Sequence, residues 1–245
     1  MTNATPPRFR IESTAIRGDQ ARLAGSELHH LRDVARIRPG SKVGLIDEHG
    51  RNLTGRVVAL DAKAALIRID RTEEPRIVPP LILALALIKG PRMDFAIEKA
   101  VELGVSQIWP LRCERCVVRD PGTERLARWR RLAVAAGKQS LAERPIEIEP
   151  PMDFADLATR IPAGMLPVIC QSSGAPLSTV LQRASRGGIL IVCGPEGDFT
   201  PQETASAQQA GFACASLGRH RLRTETAALA ALVIAASALD ALVQA

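Results

Sequence analysis

The spacing of apolar and polar positions changes near residue 75. Before that point, four short runs typical of β-strands are separated by turn residues such as Pro39-Gly40; they are RFRIEST, SKVGLID, LTGRVVAL and AALIRID. One stretch, SELHHLRDVAR, has helical spacing and predicts a helix capped by Ser26. Residues 72–80 contain three prolines, which interrupt both periodicities. We therefore predict a small β-barrel-like domain at residues 1–73, a linker at 74–80 and a second domain at 81–245.

In the second part, strongly apolar runs alternate with helical patterns. The runs are LILALALIK, QIWPLR, LPVIC, GILIVC and ACASLG. Such runs are typical of strands in a parallel sheet that is covered by helices on both faces. The second domain is therefore predicted to be α/β, with ligands binding beyond the carboxyl ends of its strands.

Two loops with small residues follow predicted strands in this domain. In the segment IVCGPEGDFTPQE, Thr200, Pro201 and Glu203 have the spacing of a capping box, so residues 194–199 should form a connecting loop. In the segment GRHRLRTETAAL, the preceding predicted strand ends by Gly218, and a second loop leads to a helix that begins around Thr224. We expect the two loops to flank one pocket.

The last predicted helix, TETAALAALVIAASALDALV, is apolar on nearly every face. Such a helix must be buried in the core or against a partner, and Leu232 is a candidate for the partner-facing side. Its most apolar stretch, Ala227 to Leu239, is expected to be too short for a membrane span, which needs about 20 residues. The first ten residues lack the apolar core of a signal peptide. We expect a cytoplasmic protein that does not bind a membrane.

Charge is distributed unevenly along the 245 residues. Residues 1–71 hold 13 Lys and Arg against 8 Asp and Glu, while the whole chain holds 32 against 26, a net charge of +6. The basic excess suits a phosphate-binding surface, although an ordinary solvated basic face has the same composition. With no Tyr, five Phe and two Trp, base-stacking platforms are not expected. Nucleic acid would be held mainly through its shape and its phosphates.

Metal and phosphate-loop chemistry receive little support from the sequence. Cys113 and Cys116 form a single C-x-x-C, without the further ligands that a structural zinc needs, so burial is the favoured interpretation and no metal site is predicted. Neither G-x-x-x-x-G-K-[ST] nor G-x-G-x-x-G occurs in the chain.

Three segments together resemble one known family. They are KGPRMDFAIEKAVELGVSQIWPLRCERCVVR, GPEGDFTPQE and LGRHRLRTETAALAAL. They are similar to the RsmE-type family of SPOUT methyltransferases, which methylate N3 of a uridine in small-subunit (16S) ribosomal RNA. The resemblance extends to HHLRDVARIRPGSKVGLIDEHG in the N-terminal module. It implies a PUA-like first domain, a SPOUT domain with a deep trefoil knot, S-adenosylmethionine, a homodimer, and ribosomal RNA or the 30S particle as partner.

Candidate roles follow from this resemblance and from the chemistry of methyl transfer. Arg223 is expected to hold the uracil or its phosphate, or else to bond carbonyls of the knot. Glu225 is a candidate proton acceptor or partner for Arg223, or a glutamate that only favours the helix N-terminus. Arg115 is expected to reach RNA, or to be exposed or ion-paired. The residues expected to hold the cofactor are Gly194, Glu196, Gly197, Leu217, Gly218, Leu222 and Thr224.

Two other functions remain open at this point. A non-catalytic RNA-binding or ribosome-assembly protein would need the basic module, but not the glycine loop or LRTETA. An α/β enzyme that uses another nucleotide would need a phosphate loop, which the sequence lacks.

The chain departs from the pattern of the family that it resembles at two positions. In the family, a glycine usually occupies the position of Asp198, and a hydrophobic residue usually occupies the position of Arg221.

Overall fold

The computed structural model describes residues 6–74, 78–142 and 146–244. The chain divides into two compact units. Unit 1 comprises Met1–Arg76 with Leu141–Arg144, and unit 2 comprises Ile77–Ser140 with Pro145–Ala245.

Unit 1 is built around a six-stranded sheet. Its strands are β1 (Arg8–Arg10), β2 (Ile16–Arg17), β3 (Gln20–Leu23), β4 (Lys42–Ile46), β5 (Asn52–Leu60) and β6 (Ala65–Glu73). They lie in the order β1-β4-β5-β6-β3-β2, and every recorded pair except β1 with β4 is antiparallel. All four strands predicted in this part are present.

Period-two alternation explains the core of unit 1. In β3, buried Ala21 lies between exposed Gln20 and Arg22, and in β5 and β6 buried Val57 and Ile67 each lie next to an exposed arginine. The predicted helix is α1 (Gly25–His29), which continues as a π-helical segment, His30–Val34. Ser26 does not cap it: the N-cap is Ala24 and no side chain caps the helix. The prediction fails because Gly25, at φ 64°, turns the chain one residue earlier.

Unit 2 contains a sheet of seven strands whose recorded pairs are all parallel. The strands are β7 (Leu81–Ala86), β8 (Gln107–Arg112), β9 (Glu147–Ile148), β10 (Met152–Asp153), β11 (Leu166–Pro176), β12 (Ile189–Cys193) and β13 (Ala213–Ser216). They run in the order β10-β8-β7-β12-β11-β13, with β9 also on β8. Every residue of β7 and β12 is buried, as the uninterrupted apolar runs predict.

Helices connect these strands. They are α2 (Pro91–Glu102), α3 (Gly122–Gln139), α4 (Leu177–Val180), α5 (Pro201–Gln209) and α6 (Thr224–Gln244). The capping box at α5 is confirmed: the Thr200 hydroxyl accepts from the Glu203 N–H, and the Glu203 carboxylate accepts from the Thr200 N–H. The predicted start of α6 at Thr224 is also confirmed.

Helix α6 differs from the sequence prediction in two respects. By length and composition alone, Thr224–Val243 is sufficient to cross a membrane, so the expectation that the segment is too short is wrong, because flanking apolar residues lengthen it. The helix nevertheless packs on α2, β7 and β12. Leu232 lies in this core with no exposed surface, whereas Val233 is 53 % exposed. Leu232 therefore cannot be the residue that faces a partner.

Candidate active site

A cavity of about 530 Å³ lies at the carboxyl ends of β12 and β13, beside the middle of β11. Three segments line it: residues 170–172 within β11, the loop after β12, and residues 216–222 with the start of α6. The volume is within the range of small-molecule sites, roughly 300–1,000 Å³. The two small-residue loops therefore flank one pocket, as their sequence predicts.

Most of the predicted cofactor residues line this cavity. They are Gly194, Glu196, Leu217, Gly218, Leu222 and Thr224. Of the described residues, Gly197, Arg223 and Glu225 lie outside the cavity lining although they are adjacent in the chain to residues that form it. Glycine is needed at position 218, where φ is 120°, a value that side chains disfavour.

The loop after β12 is held by a turn and by an arginine from elsewhere. The Asp198 N–H donates to the Pro195 carbonyl at 2.9 Å, and Asp198 itself has φ 63°. Aspartate tolerates this left-handed conformation better than most residues, and its carboxylate accepts from the Phe199 N–H at 2.8 Å. The aspartate at a position where glycine is usual is thus compatible with the turn.

Arg115 is directed at the loop. Its Nη1 donates to the Gly197 carbonyl at 2.8 Å and to the Phe199 carbonyl at 3.3 Å. Arg115 is exposed, which is one of the alternatives considered from the sequence, and its hydrogen bonds go to backbone carbonyls; an RNA contact of this side chain stays a prediction. The side chain holds the loop backbone in place, which explains why the turn between Cys113 and Cys116 carries an arginine.

Gly194 is required by packing. A Cβ built at this position would lie 2.9 to 3.1 Å from three ring atoms of Phe199, which is buried beside Phe154. At Gly197 a Cβ would meet the flexible Arg115 side chain at 3.3 Å. The two glycines are therefore unequal, although the sequence gives them the same role.

We expect Gly194→Val to weaken S-adenosylmethionine binding at least tenfold and to lower the free energy of unfolding by about 1–3 kcal/mol, because the added atoms must displace the Phe199 ring. Calorimetric titration and thermal unfolding measure the two effects. Gly197→Val is the matched control and should cause less than half of either change, because its added atoms meet only the flexible Arg115 side chain. Wild-type affinity in Gly194→Val would contradict the packing argument.

The structure reveals a charged residue that the sequence analysis missed. Arg92, in the first turn of α2, places Nη2 2.7 Å from Glu196 Oε1 and Nη1 4.0 Å from Glu225 Oε2. It thus connects the loop after β12 with the first turn of α6. Arg221 adds a second link, since its Nη2 donates to the Glu196 carbonyl at 2.8 Å. The ion pairs of Arg92 join residues that are far apart in the sequence. The signal in the sequence that could have indicated them is an arginine directly after Gly90-Pro91.

Glu225 and Arg223 have opposite environments although they are two residues apart. Glu225 is 8 % exposed, and its buried Oε2 has no hydrogen-bond partner among the described residues. Arg223 is exposed, and no hydrogen bond or ion pair of its guanidinium occurs within the described ranges. The other role considered for Arg223, a structural arginine bonded to carbonyls of the knot, is therefore not supported by any contact among the described residues. The guanidinium is available to an anionic ligand.

Cys113 and Cys116 lie close together and are both buried. The Cys116 Sγ accepts the Cys113 N–H at 3.3 Å. A hydrogen bond between the two thiols lowers the pKa of Cys116 to about 7 and raises that of Cys113. In the part of the chain that the structure describes, no group of three His, Cys, Asp or Glu side chains is placed to hold a metal ion.

Comparison with known proteins gives a consistent result for both parts of the chain. Residues 74–236 match the RNA methyltransferase domain family, and residues 23–70 match the RNA methyltransferase PUA domain family. The ribosomal RNA small subunit methyltransferase E of Mycobacterium bovis is 31 % identical over 91 % of this chain and 88 % of its own length. That of Bacillus subtilis is 28 % identical, covering 92 % and 94 % of the two chains.

Solved structures give the same result. The crystal structure of a ribosomal RNA small subunit methyltransferase E from Neisseria gonorrhoeae, bound to S-adenosylmethionine, superposes with a TM-score of 0.69. It shares 33 % identity and covers 93 % of this chain and 95 % of its own. A Legionella pneumophila structure, also with bound S-adenosylmethionine, has a TM-score of 0.67 at 26 % identity and covers 97 % and 98 %.

Proposed function

Because this chain belongs to the ribosomal RNA small subunit methyltransferase E family, we propose that it methylates N3 of a uridine in small-subunit ribosomal RNA. It is an S-adenosylmethionine-dependent ribosomal RNA methyltransferase with a PUA-like domain and a SPOUT methyltransferase domain. The domain boundaries we propose are 1–73 and 81–245, with a linker at 74–80. The reaction would take place in the cytoplasm, on free RNA or on the 30S particle.

The cavity in unit 2 suits the cofactor. Its lining combines backbone groups of two small-residue loops with the apolar Leu217 and Leu222, a mixture typical of sites for nucleoside-like ligands. We assign Gly194, Glu196, Leu217, Gly218, Leu222 and Thr224 to direct binding. Gly197 contributes indirectly, because its carbonyl accepts a hydrogen bond from Arg115 and so holds the loop in place. The converging loops are also where the family's trefoil knot would lie.

S-adenosylmethionine, when bound, supplies a methyl group on a positively charged sulfur. During transfer the carbon–sulfur bond breaks, a carbon–N3 bond forms, and the N3 proton must leave. The chain therefore has to orient N3, accept the proton and stabilise the negative charge that spreads over the uracil carbonyls.

Two residues at the start of α6 suit these tasks. The Arg223 guanidinium is exposed and stays charged, so it can donate hydrogen bonds to the uracil oxygens or to a phosphate. Glu225 Oε2 has no hydrogen-bond partner among the described residues, so it is the candidate acceptor for the proton. The single observation that carries the proposal is that an exposed arginine without an internal partner and a buried carboxylate oxygen without a hydrogen bond lie two residues apart beside the cavity.

The proposal is tested with the purified chain, S-adenosylmethionine labelled in its methyl group, and small-subunit particles that lack the modification. We expect saturable cofactor binding by calorimetry and one labelled N3-methyluridine per particle after nuclease digestion. Binding of RNA without cofactor binding would favour the non-catalytic assembly protein instead. A label on another atom of the RNA would refute the N3 assignment.

A homodimer is proposed from the exposed side of α6. Apolar side chains there are only partly covered, including Val233 at 53 % exposure, and Phe95 on the neighbouring α2 is 47 % exposed. In a two-fold dimer the same face would meet itself.

We expect Val233→Glu to yield a monomer, because the dimer would bury an unpaired carboxylate. Sedimentation velocity measures the change, and Val134→Glu, the same substitution at a 56 % exposed valine of α3, is the matched control. A dimer of wild-type affinity in Val233→Glu would exclude this face. Substitution of the buried Leu232 is not informative, since it would disrupt the core of unit 2.

A further inference from the structure

A row of polar side chains crosses the exposed face of the sheet in unit 1. Lys42 of β4 pairs with Arg56 of β5, Arg56 pairs with Arg68 of β6, Arg68 pairs with Gln20 of β3, and Gln20 pairs with Arg17 of β2. All five residues are exposed. We call this set the cationic row. Because neighbouring strands are about 4.8 Å apart, it extends over roughly 19 Å.

The arrangement is unfavourable for the folded protein by itself. Like charges directly opposite each other on adjacent strands destabilise a sheet. In the cationic row, Lys42, Arg56 and Arg68 occupy three consecutive strands, and the next residues of these strands, such as Val43 and Val57, lie in the core on the other face. No compensation can come from beneath the sheet, where the side chains are apolar.

One carboxylate compensates part of this charge. Asp70 Oδ2 lies 3.8 Å from Arg56 Nε, and Asp70 Oδ1 lies 3.9 Å from Arg68 Nε. Both distances are long for ion pairs, and all three side chains are well exposed, so each contact stabilises little. The four basic residues of the row therefore retain a net positive charge.

We propose that the cationic row binds the phosphate backbone of the ribosomal RNA substrate; this rests on the function proposed above. Arginine and lysine donate charge-assisted hydrogen bonds to phosphate oxygens, and the Gln20 amide can donate to one as well. Residues 1–76 contain no Trp or Tyr, and their single Phe, Phe9, is buried. The face therefore offers phosphate contacts without base stacking, so it positions RNA without reading its sequence.

The first test is the double variant Arg56→Gln/Arg68→Gln. A labelled small-subunit RNA fragment is titrated with the full chain, and fluorescence anisotropy is followed at several salt concentrations. Because each lost phosphate contact lowers the slope of log affinity against log salt by about 0.7–0.9, we expect a slope smaller by roughly 1.5 and an affinity at least tenfold lower at low salt. Arg71→Gln, on the same strand and paired with Glu73 at 2.9 Å, is the matched control with an unchanged slope.

The second test changes affinity in the opposite direction. Asp70→Asn removes the carboxylate that lies beside Arg56 and Arg68, so RNA should bind about threefold more tightly, a gain that loss of structure would not produce. Unchanged or weaker binding in Asp70→Asn, or an unchanged salt slope in the double variant, would overturn the proposal. Failure of the methylation reaction is distinguishable, because it would appear in the wild-type chain while the RNA titrations still gave their result.

Discussion

Arg223→Ala is expected to lower kcat at least a hundredfold while cofactor affinity stays within twofold of wild type. The guanidinium is exposed and has no partner in the described chain, so its removal breaks no internal contact. Its proposed role is to stabilise charge that develops on the uracil, and removal of one such donor typically costs 10²–10³ in rate. Single-turnover transfer of labelled methyl to small-subunit particles, with calorimetry for the cofactor, measures both quantities.

Two further variants make this result specific. Arg223→Lys retains the charge but not the paired donors, so we expect intermediate activity. Arg183→Ala removes another exposed arginine of unit 2, which does not line the cavity, and should leave turnover unchanged. Near-normal turnover by Arg223→Ala would show that the reacting uracil is held by other residues.

Arg92→Ala is expected to have the second large effect, on stability and catalysis together. Without Arg92, Glu225 Oε2 would be buried with no opposite charge nearby, and Glu196 would lose its ion pair at 2.7 Å. A buried unpartnered polar group costs about 1–3 kcal/mol. Because Arg92 is 36 % exposed, water screens the pair, and the lower half of that range is expected. We also expect kcat to fall about tenfold, since the cavity loop and the α6 turn are no longer linked.

A double-mutant cycle separates positioning from general destabilisation. Addition of Glu225→Gln to Arg92→Ala should recover most of the lost stability, because the unpaired charge is gone, but should not recover kcat. Arg92→Lys, which keeps a cation at the same place, should recover both in part. If Arg92→Ala lowers the free energy of unfolding equally in the wild-type and in the Glu225→Gln background, Arg92 and Glu225 do not interact.

Local patterns were sufficient to predict most elements of the fold. The nine strands that were predicted and the start of α6 depend on the alternation or continuity of apolar residues within a few positions, whereas the short strands β2, β3, β9 and β10 were not predicted. The capping box at Thr200 likewise depends on residues three positions apart. The prediction of Ser26 as a cap failed where two small residues compete to begin a helix, because the backbone conformation of Gly25 decides between them.

The side of helix α6 that is buried was harder to predict from the sequence. Nearly uniform apolarity along α6 does not tell which side meets the sheet, so Leu232 and Val233 are equivalent in the pattern, although one is buried and the other half exposed. Helical geometry fixes the angle between two neighbours, but packing against α2, β7 and β12 selects the buried stripe.

Residues close together in the chain were enough to predict the α/β class and the loops at two strand ends, and the resemblance to a family indicated the kind of reaction to test. Only the tertiary structure brought Arg92 to Glu196 and Glu225, placed Arg115 on the loop carbonyls, and aligned Lys42, Arg56 and Arg68 across three strands. These contacts join residues remote in the chain. Their geometry depends on strand order and register, which periodicity along one segment does not encode.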